Sequence, residues 1–140
     1  MIVCRKTLTQ WKRAANELCP SCKEIETVKH IYFECPRIKL IWLKIGSIIQ
    51  VDLTWKKILF GYLEKCIIHE FRNLLFTVIL YAIFKAWNEG IENDDIYIHK
   101  NIMSIVKADV LKWKHNLEHS KLFFNKPNLI TLWNTAIKYI

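Results

Sequence analysis

The 140-residue chain is poor in the residues that turn a backbone, with three Gly and three Pro. A sandwich or barrel needs many more of both, so helices on short connections are favoured. Long apolar runs are missing too. The longest, Leu74 to Phe84, is interrupted by Thr77 and ended by Lys85. That is well short of the ~20 residues of a spanning helix, and it reads as a buried core helix with no membrane partner. The opening stretch, MIVCRKTLTQWKR, lacks the apolar core of a signal peptide. Five cysteines without such a signal argue against a disulfide framework. The expected setting is reduced and intracellular, nuclear or cytoplasmic. Acid is scarce, since 21 Lys+Arg against 13 Asp+Glu leave a net charge of +8. Such a surplus favours nucleic acid or another anionic surface, although a Lys-rich surface is equally a solubility device.

What is present is apolar side chain. At 52% hydrophobic and 24% charged residues, the chain has a globular composition and enough length for one domain with a real core. The reading is a single all-α domain over 1–140, with a metal-binding segment at about 18–46 and a helical bundle at about 54–140. A short basic helix is expected from Thr7 to Leu18, with Leu8, Trp11 and Ala15 at helical spacing. Pro36 opens a second, burying Ile38, Ile41, Trp42 and Ile45 and stopped by Gly46. Thr54 caps a third that carries Trp55, Ile58, Leu59 and Tyr62 and ends near Gly61. A central helix follows from Ile67 to Glu89, with Gly90 as its left-handed terminator. Asp94 or Asp95 caps the next, Ile96 to His119, whose stripe of Ile98, Ile102, Ile105, Val106 and Trp113 is interrupted by Asp109. Pro127 sets off a last helix, Leu129 to Tyr139, burying Leu132, Trp133, Ala136 and Ile137.

The chemistry lies in Cys19-x2-Cys22-x7-His30-x4-Cys35. Zinc takes thiolate and imidazole donors in a tetrahedron, and four protein ligands mark a closed, structural site for one Zn2+ ion. Pro20 and Ser21 suit the tight turn that presents Cys19 and Cys22 together. Thr27 can cap a short helix over Val28 to Glu34. On an ideal α-helix, residues five apart point about 140° from one another, so His30 and Cys35 need a break between them. Pro36 supplies it by pushing Cys35 out of the α region. A thioredoxin-like redox pair would sit between a strand and a helix, which Leu18 does not provide. Cys4 is expected as a free thiol at a terminus, and Cys66 as a buried small hydrophobe. His69, His99, His115 and His119 read as surface histidines, the last two lacking a third ligand.

The segment LCPSCKEIETVKHIYFECPRIKLIWLKI resembles the reverse-transcriptase zinc-binding domain at the C-terminus of non-LTR retrotransposon polyproteins. The matching features are Cys19-Pro20-x-Cys22, the acidic linker ending in Glu26-Thr27, and His30 followed by Tyr32-Phe33. Glu34-Cys35-Pro36 and Trp42 complete them. Trp55 to Gly61 and Leu80 to Trp87 extend the similarity more weakly. The seven residues between Cys22 and His30 separate the pattern from the retroviral zinc knuckle, which has four there. The resemblance implies an accessory domain that holds RNA or DNA behind a polymerase. It implies no polymerase activity in this chain. The four aspartates, Asp52, Asp94, Asp95 and Asp109, form no plausible two-metal pair, and Asp94-Asp95 precede a helical stretch.

Two functional readings follow. In the first, Lys12, Arg13, Lys23, Lys29, Arg37, Lys39 and Lys44 contact nucleic-acid phosphates without sequence preference. Trp11 and Tyr32 are then candidates for stacking on bases, although helical spacing also suits both to a core. In the second, the metal staples a helical module that docks on an upstream polymerase domain or another chain, or persists as a retroelement remnant. Nothing resembling a nucleophile elbow, phosphate loop or open metal site supports an enzyme.

Overall fold

The computed structural model describes residues 4–12, 16–64, 66–93, 102–119 and 127–139. It is built from helices α1 (Arg5–Gln10), α2 (Pro36–Ile49), α3 (Trp55–Phe60), α4 (Ile67–Asn93), α5 (Ile102–Glu118) and α6 (Pro127–Tyr139). One π-helical turn, His30–Glu34, precedes α2. Among the described residues no strand forms, and β pairing is limited to an isolated antiparallel bridge between Leu18 and Ile25. The fold is thus all-α.

Helix α4 is the axis. Phe71, Leu75, Phe76, Val78, Ile79, Ala82, Ile83, Ala86 and Trp87 are all buried on it. Nearly every face is apolar, so neighbours must cover it on several sides. Val106 and Val110 of α5 and Trp133 of α6 do so, and Trp133 meets Phe71 edge-on at 5.6 Å between ring centroids. Ile38, Ile41, Trp42 and Ile45 of α2 are buried as the spacing predicts, and Trp42 meets Phe76 edge-on at 6.0 Å. Each large apolar side chain withdrawn from water contributes about 1.5–3 kcal/mol. By length and hydropathy the stretch 67–89 is also long enough to cross a membrane. Leu75, Phe76, Val78, Ile79, Ala82 and Ile83 are buried against protein neighbours, the core role expected of Leu74 to Phe84, while Ile68 and Tyr81 stay about half exposed.

Asp109, the polar residue in the α5 stripe, is 7% exposed. Lys85 of α4 donates to both its carboxylate oxygens, at 2.8 and 2.9 Å. That bond raises the Lys85 pKa. The interruption in the stripe is therefore a cross-link between two core helices.

Several boundaries differ from expectation. The first helix spans Arg5–Gln10 rather than Thr7 to Leu18, because Lys12 turns left-handed (φ 56°) and residues 17–26 fold into a backbone-bonded loop. Ala15 lies outside the described residues. Gly46 does not stop α2, which runs on to Ile49 and ends at left-handed Gln50 (φ 53°). Its lack of a side chain serves a close approach instead: a Cβ there would stand 2.8 Å from Val51 O. Gly90 does not end α4, which continues to Asn93. Thr54 caps α3 as expected, accepting from Lys57 N–H at 3.3 Å. Gly61 follows at φ 67°, and Asn73 brackets the next residue, accepting from Tyr62 N–H (2.7 Å) and donating to Tyr62 O (2.9 Å). Pro127 is the first residue of α6 rather than a separator. Asp94, Asp95, Ile98 and His99 lie outside the described residues, as does the start proposed for the helix before α6.

Candidate metal centre

Two short segments make the site. In the first, Cys19 N–H donates to Glu24 O (2.8 Å), Lys23 N–H to Cys19 O (2.9 Å) and Glu26 N–H to Glu17 O (2.8 Å). These bonds close a loop around Cys19-Pro20-Ser21-Cys22. Lys23 completes the turn at φ 65°, a left-handed conformation that costs a side-chain-bearing residue about 1–2 kcal/mol. In the second, Thr27 caps the incoming helix through its Oγ1, which accepts from His30 N–H at 3.1 Å. The chain then winds as a π turn, Cys35 N–H donating to His30 O at 2.9 Å. A turn closed between residues five apart brings those residues toward one face, where an α-helix would separate them. Cys35 itself is extended (φ −53°, ψ 129°) and Pro36 takes the first position of α2, as a residue preceding proline should. Winding and break act together to bring His30 and Cys35 to one place. The break was legible from Pro36; the π winding was not.

The donor atoms of Cys19, Cys22, His30 and Cys35 all lie within 4.8 Å of one another. Cys22 Sγ and His30 Nε2 are 3.3 Å apart. Around a tetrahedral zinc ion, neighbouring thiolates stand about 3.8 Å apart, so the quartet fits with shifts of about an ångström or less. Cys19, His30 and Cys35 are buried and Cys22 is partly so. On the far side of the imidazole, Nδ1 lies 4.0 Å from the exposed Glu24 Oε2, beyond hydrogen-bond reach. Ile31, Ile38, Ile83 and Trp87 wall the remaining side. The site is therefore built against the central helix, not in a separate lobe.

The thiols show what a cation would change. Contact with Cys35 and burial push Cys19 up to about 12. Burial raises Cys22, while Cys35, hydrogen-bonded by Cys19, is held below the usual thiol value. Three packed sulfurs resist becoming three thiolates on their own. A bound dication removes that resistance and releases the protons.

Glu26 was not singled out as a structural residue by the sequence. It is fully buried, its Oε1 accepts from Arg5 N–H at 2.6 Å, and its Oε2 lies 3.8 Å from Arg5 Nε. A carboxylate 21 positions away thus caps α1, and burial pushes its pKa up to about 7.

The candidate phosphate contacts are less uniform. Lys12, Lys23, Lys29, Lys39 and Lys44 are exposed. Lys29 is already paired with Glu34 at 2.6 Å. Arg37 is half-buried, and Arg13 lies outside the described residues. Trp11 is 47% exposed and available for stacking, whereas Tyr32 is 5% exposed and belongs to the core. Tyr32 is fixed there by packing, and Trp42 Nε1–H donates to its carbonyl at 2.7 Å. Cys4 is a free thiol as expected, and the Cys66 expectation reverses. Cys4 is buried at the start of α1 with its Sγ 3.3 Å from Thr7 Oγ1. Cys66, just before α4, is exposed. His69 is half-buried and stacks on Tyr62 at 4.4 Å, while His115 and His119 are exposed.

Compared with protein-family models, with curated proteins and with solved structures, the chain gives no match.

Proposed function

We propose that the chain is a zinc-stapled accessory domain that binds RNA or DNA without sequence preference and catalyses nothing by itself. The observation that carries this is the convergence of Cys19, Cys22, His30 and Cys35 within 4.8 Å. Three thiolates and an imidazole suit Zn2+ over the hard cations, which take oxygen. Four protein donors leave no open position for a substrate water, so the ion's role is structural. The same residues carry the resemblance to the reverse-transcriptase zinc-binding domain, which supplies the nucleic-acid part of the reading, together with the net charge of +8. A reduced, nuclear or cytoplasmic setting follows from thiolate ligation. The described aspartates fit an accessory role, since Asp109 is committed to Lys85 and Asp52 lies in the loop before α3.

The test is metal analysis with a salt titration. The purified chain should carry one zinc per molecule. It should bind mixed-sequence single-stranded RNA and duplex DNA at low salt. If six phosphates are contacted, affinity falls by about 10³ between 50 and 200 mM salt. Absence of binding at low salt by the zinc-loaded chain would remove the nucleic-acid reading and leave the staple standing.

A further inference from the structure

Two depressions lie side by side on the surface formed by the π turn, α2, α3 and α4. The first, of about 500 Å³, lies between α2 and the 51–53 loop and is lined by Phe33, Lys39, Trp42, Leu43 and Leu53 among others. The second, of about 490 Å³, is lined by Val28, Tyr32, Trp55, Leu59, Leu80, Tyr81 and Phe84. They adjoin through Phe33 and Trp55, whose ring centroids are 6.1 Å apart. Leu43 (62%), Leu59 (48%) and Tyr81 (52%) remain largely in water, with Leu40 and Phe60 also exposed on α2 and α3. A contiguous apolar surface of this kind marks an interaction site.

The charges around it say what covers it. Helices α2 and α3 carry Arg37, Lys39, Lys44, Lys56 and Lys57, and no Asp or Glu. No acid stands on α4 between Glu70 and Glu89, and its Lys85 is turned to Asp109. Asp52 lines the first depression, and Glu34 of the π turn is paired with Lys29 at 2.6 Å. A second copy would bring the same positive helices face to face at +8 per chain, which disfavours self-association. Nucleic acid matches the charge but not the floor. Trp55 and Tyr81 could stack a base, but no cation lines the second depression to hold the phosphate beside it, Lys85 being bonded to Asp109, and that depression presents almost no polar atom.

We infer that this face docks an acidic amphipathic helix of another protein, its bulky apolar side chains filling the two depressions and its carboxylates meeting Lys39 and Lys56. This is helix-in-groove recognition, with apolar anchors at i, i+3, i+4 and i+7. It does not depend on the nucleic-acid reading.

The probe is a fluorescein-labelled helical peptide with Leu and Phe at those positions and Glu elsewhere, titrated with the zinc-loaded full chain. A scrambled peptide of the same composition is the control. Binding of the patterned peptide, at least about tenfold tighter than the scramble, is expected. Leu43→Ser and Tyr81→Ser, both at exposed positions, should each weaken it by about tenfold while leaving the salt-dependent binding of RNA unchanged. Equal binding of the two peptides, or none, overturns the inference. So does sedimentation showing a dimer that either substitution disperses, which would make the occupant a second copy. Loss of RNA binding in the same two variants would assign the face to nucleic acid instead.

Discussion

Replacing Pro36 by Ala keeps all four ligands and removes the device that turns Cys35 out of the helical path. In the native chain Cys35 sits at φ −53°, ψ 129° between the π turn and α2. Without the proline ring, residue 35 is free to enter the α region and join the two helical segments into one. On such a helix His30 and Cys35 diverge by about 140°, so the metal must hold the break open against the backbone. Loss of the proline restriction costs about 0.4–1 kcal/mol through the unfolded chain. Each residue gained by helix propagation adds at most a few tenths of a kcal/mol. A total of about 1 kcal/mol corresponds to roughly fivefold weaker zinc binding. Competition with a chromophoric chelator resolves that difference, and the stoichiometry should stay at one. Unchanged affinity in Pro36→Ala would refute the claim that the proline positions Cys35. A loss as large as that of removing a ligand would show that the substitution collapses the segment instead.

Cys19→Ser and His30→Ala should each abolish stoichiometric zinc, read by metal analysis, because the buried site offers no substitute donor. Gly46→Ala sets a helix-propensity gain of about 1 kcal/mol against a Cβ pressed on a carbonyl. With only 2.8 Å to Val51 O the clash should win, and a higher urea midpoint in the variant would show that the loop can move away. The Lys85–Asp109 pair should give a coupling of about 1 kcal/mol in a double-mutant cycle with Lys85→Met and Asp109→Asn, discounted because Lys85 is 39% exposed. Its pH dependence follows from the raised Lys85 pKa. The coupling should be fully present below the ordinary lysine value of about 10.4 and fade as pH rises through the folded value above it. A coupling already lost at neutral pH would contradict that assignment.

How much of this was legible in the sequence depended on how local the cause was. The clustering of Cys19, Cys22, His30 and Cys35, the Thr54 cap and the buried face of α2 follow from local spacing, and each is found where the pattern placed it. The exit at Cys35 was legible for the same reason, since proline acts on its immediate neighbour. Gly46 and Gly90 were misread because glycine near a helix end usually marks a terminus. The reason for Gly46 is a carbonyl folding back from Val51, which the helix pattern does not contain. Cys66 was misplaced because its burial is decided by distant segments. Asp109 looked like a flaw in an apolar stripe until Lys85, 24 residues earlier, supplied its partner. Glu26 escaped for a like reason: a buried carboxylate in an acidic linker is indistinguishable, by composition, from a solvated one. The π winding is different again, since the same residues can wind as an α-helix and no local spacing distinguishes the two.

Trp87 closes the wall of the metal site from the central helix, beside Ile83 and across from Cys19 and Cys35. An indole in that position makes the protein its own optical sensor. Rearrangement of the thiol cluster changes the surroundings of a buried fluorophore on α4, so loss of an ion bound there would be visible as an emission change from the middle of the core. A Trp87→Phe chain separates this signal from that of the other five tryptophans, and the timing of the change against the loss of helical circular dichroism tells whether the segment lets go before the bundle or together with it.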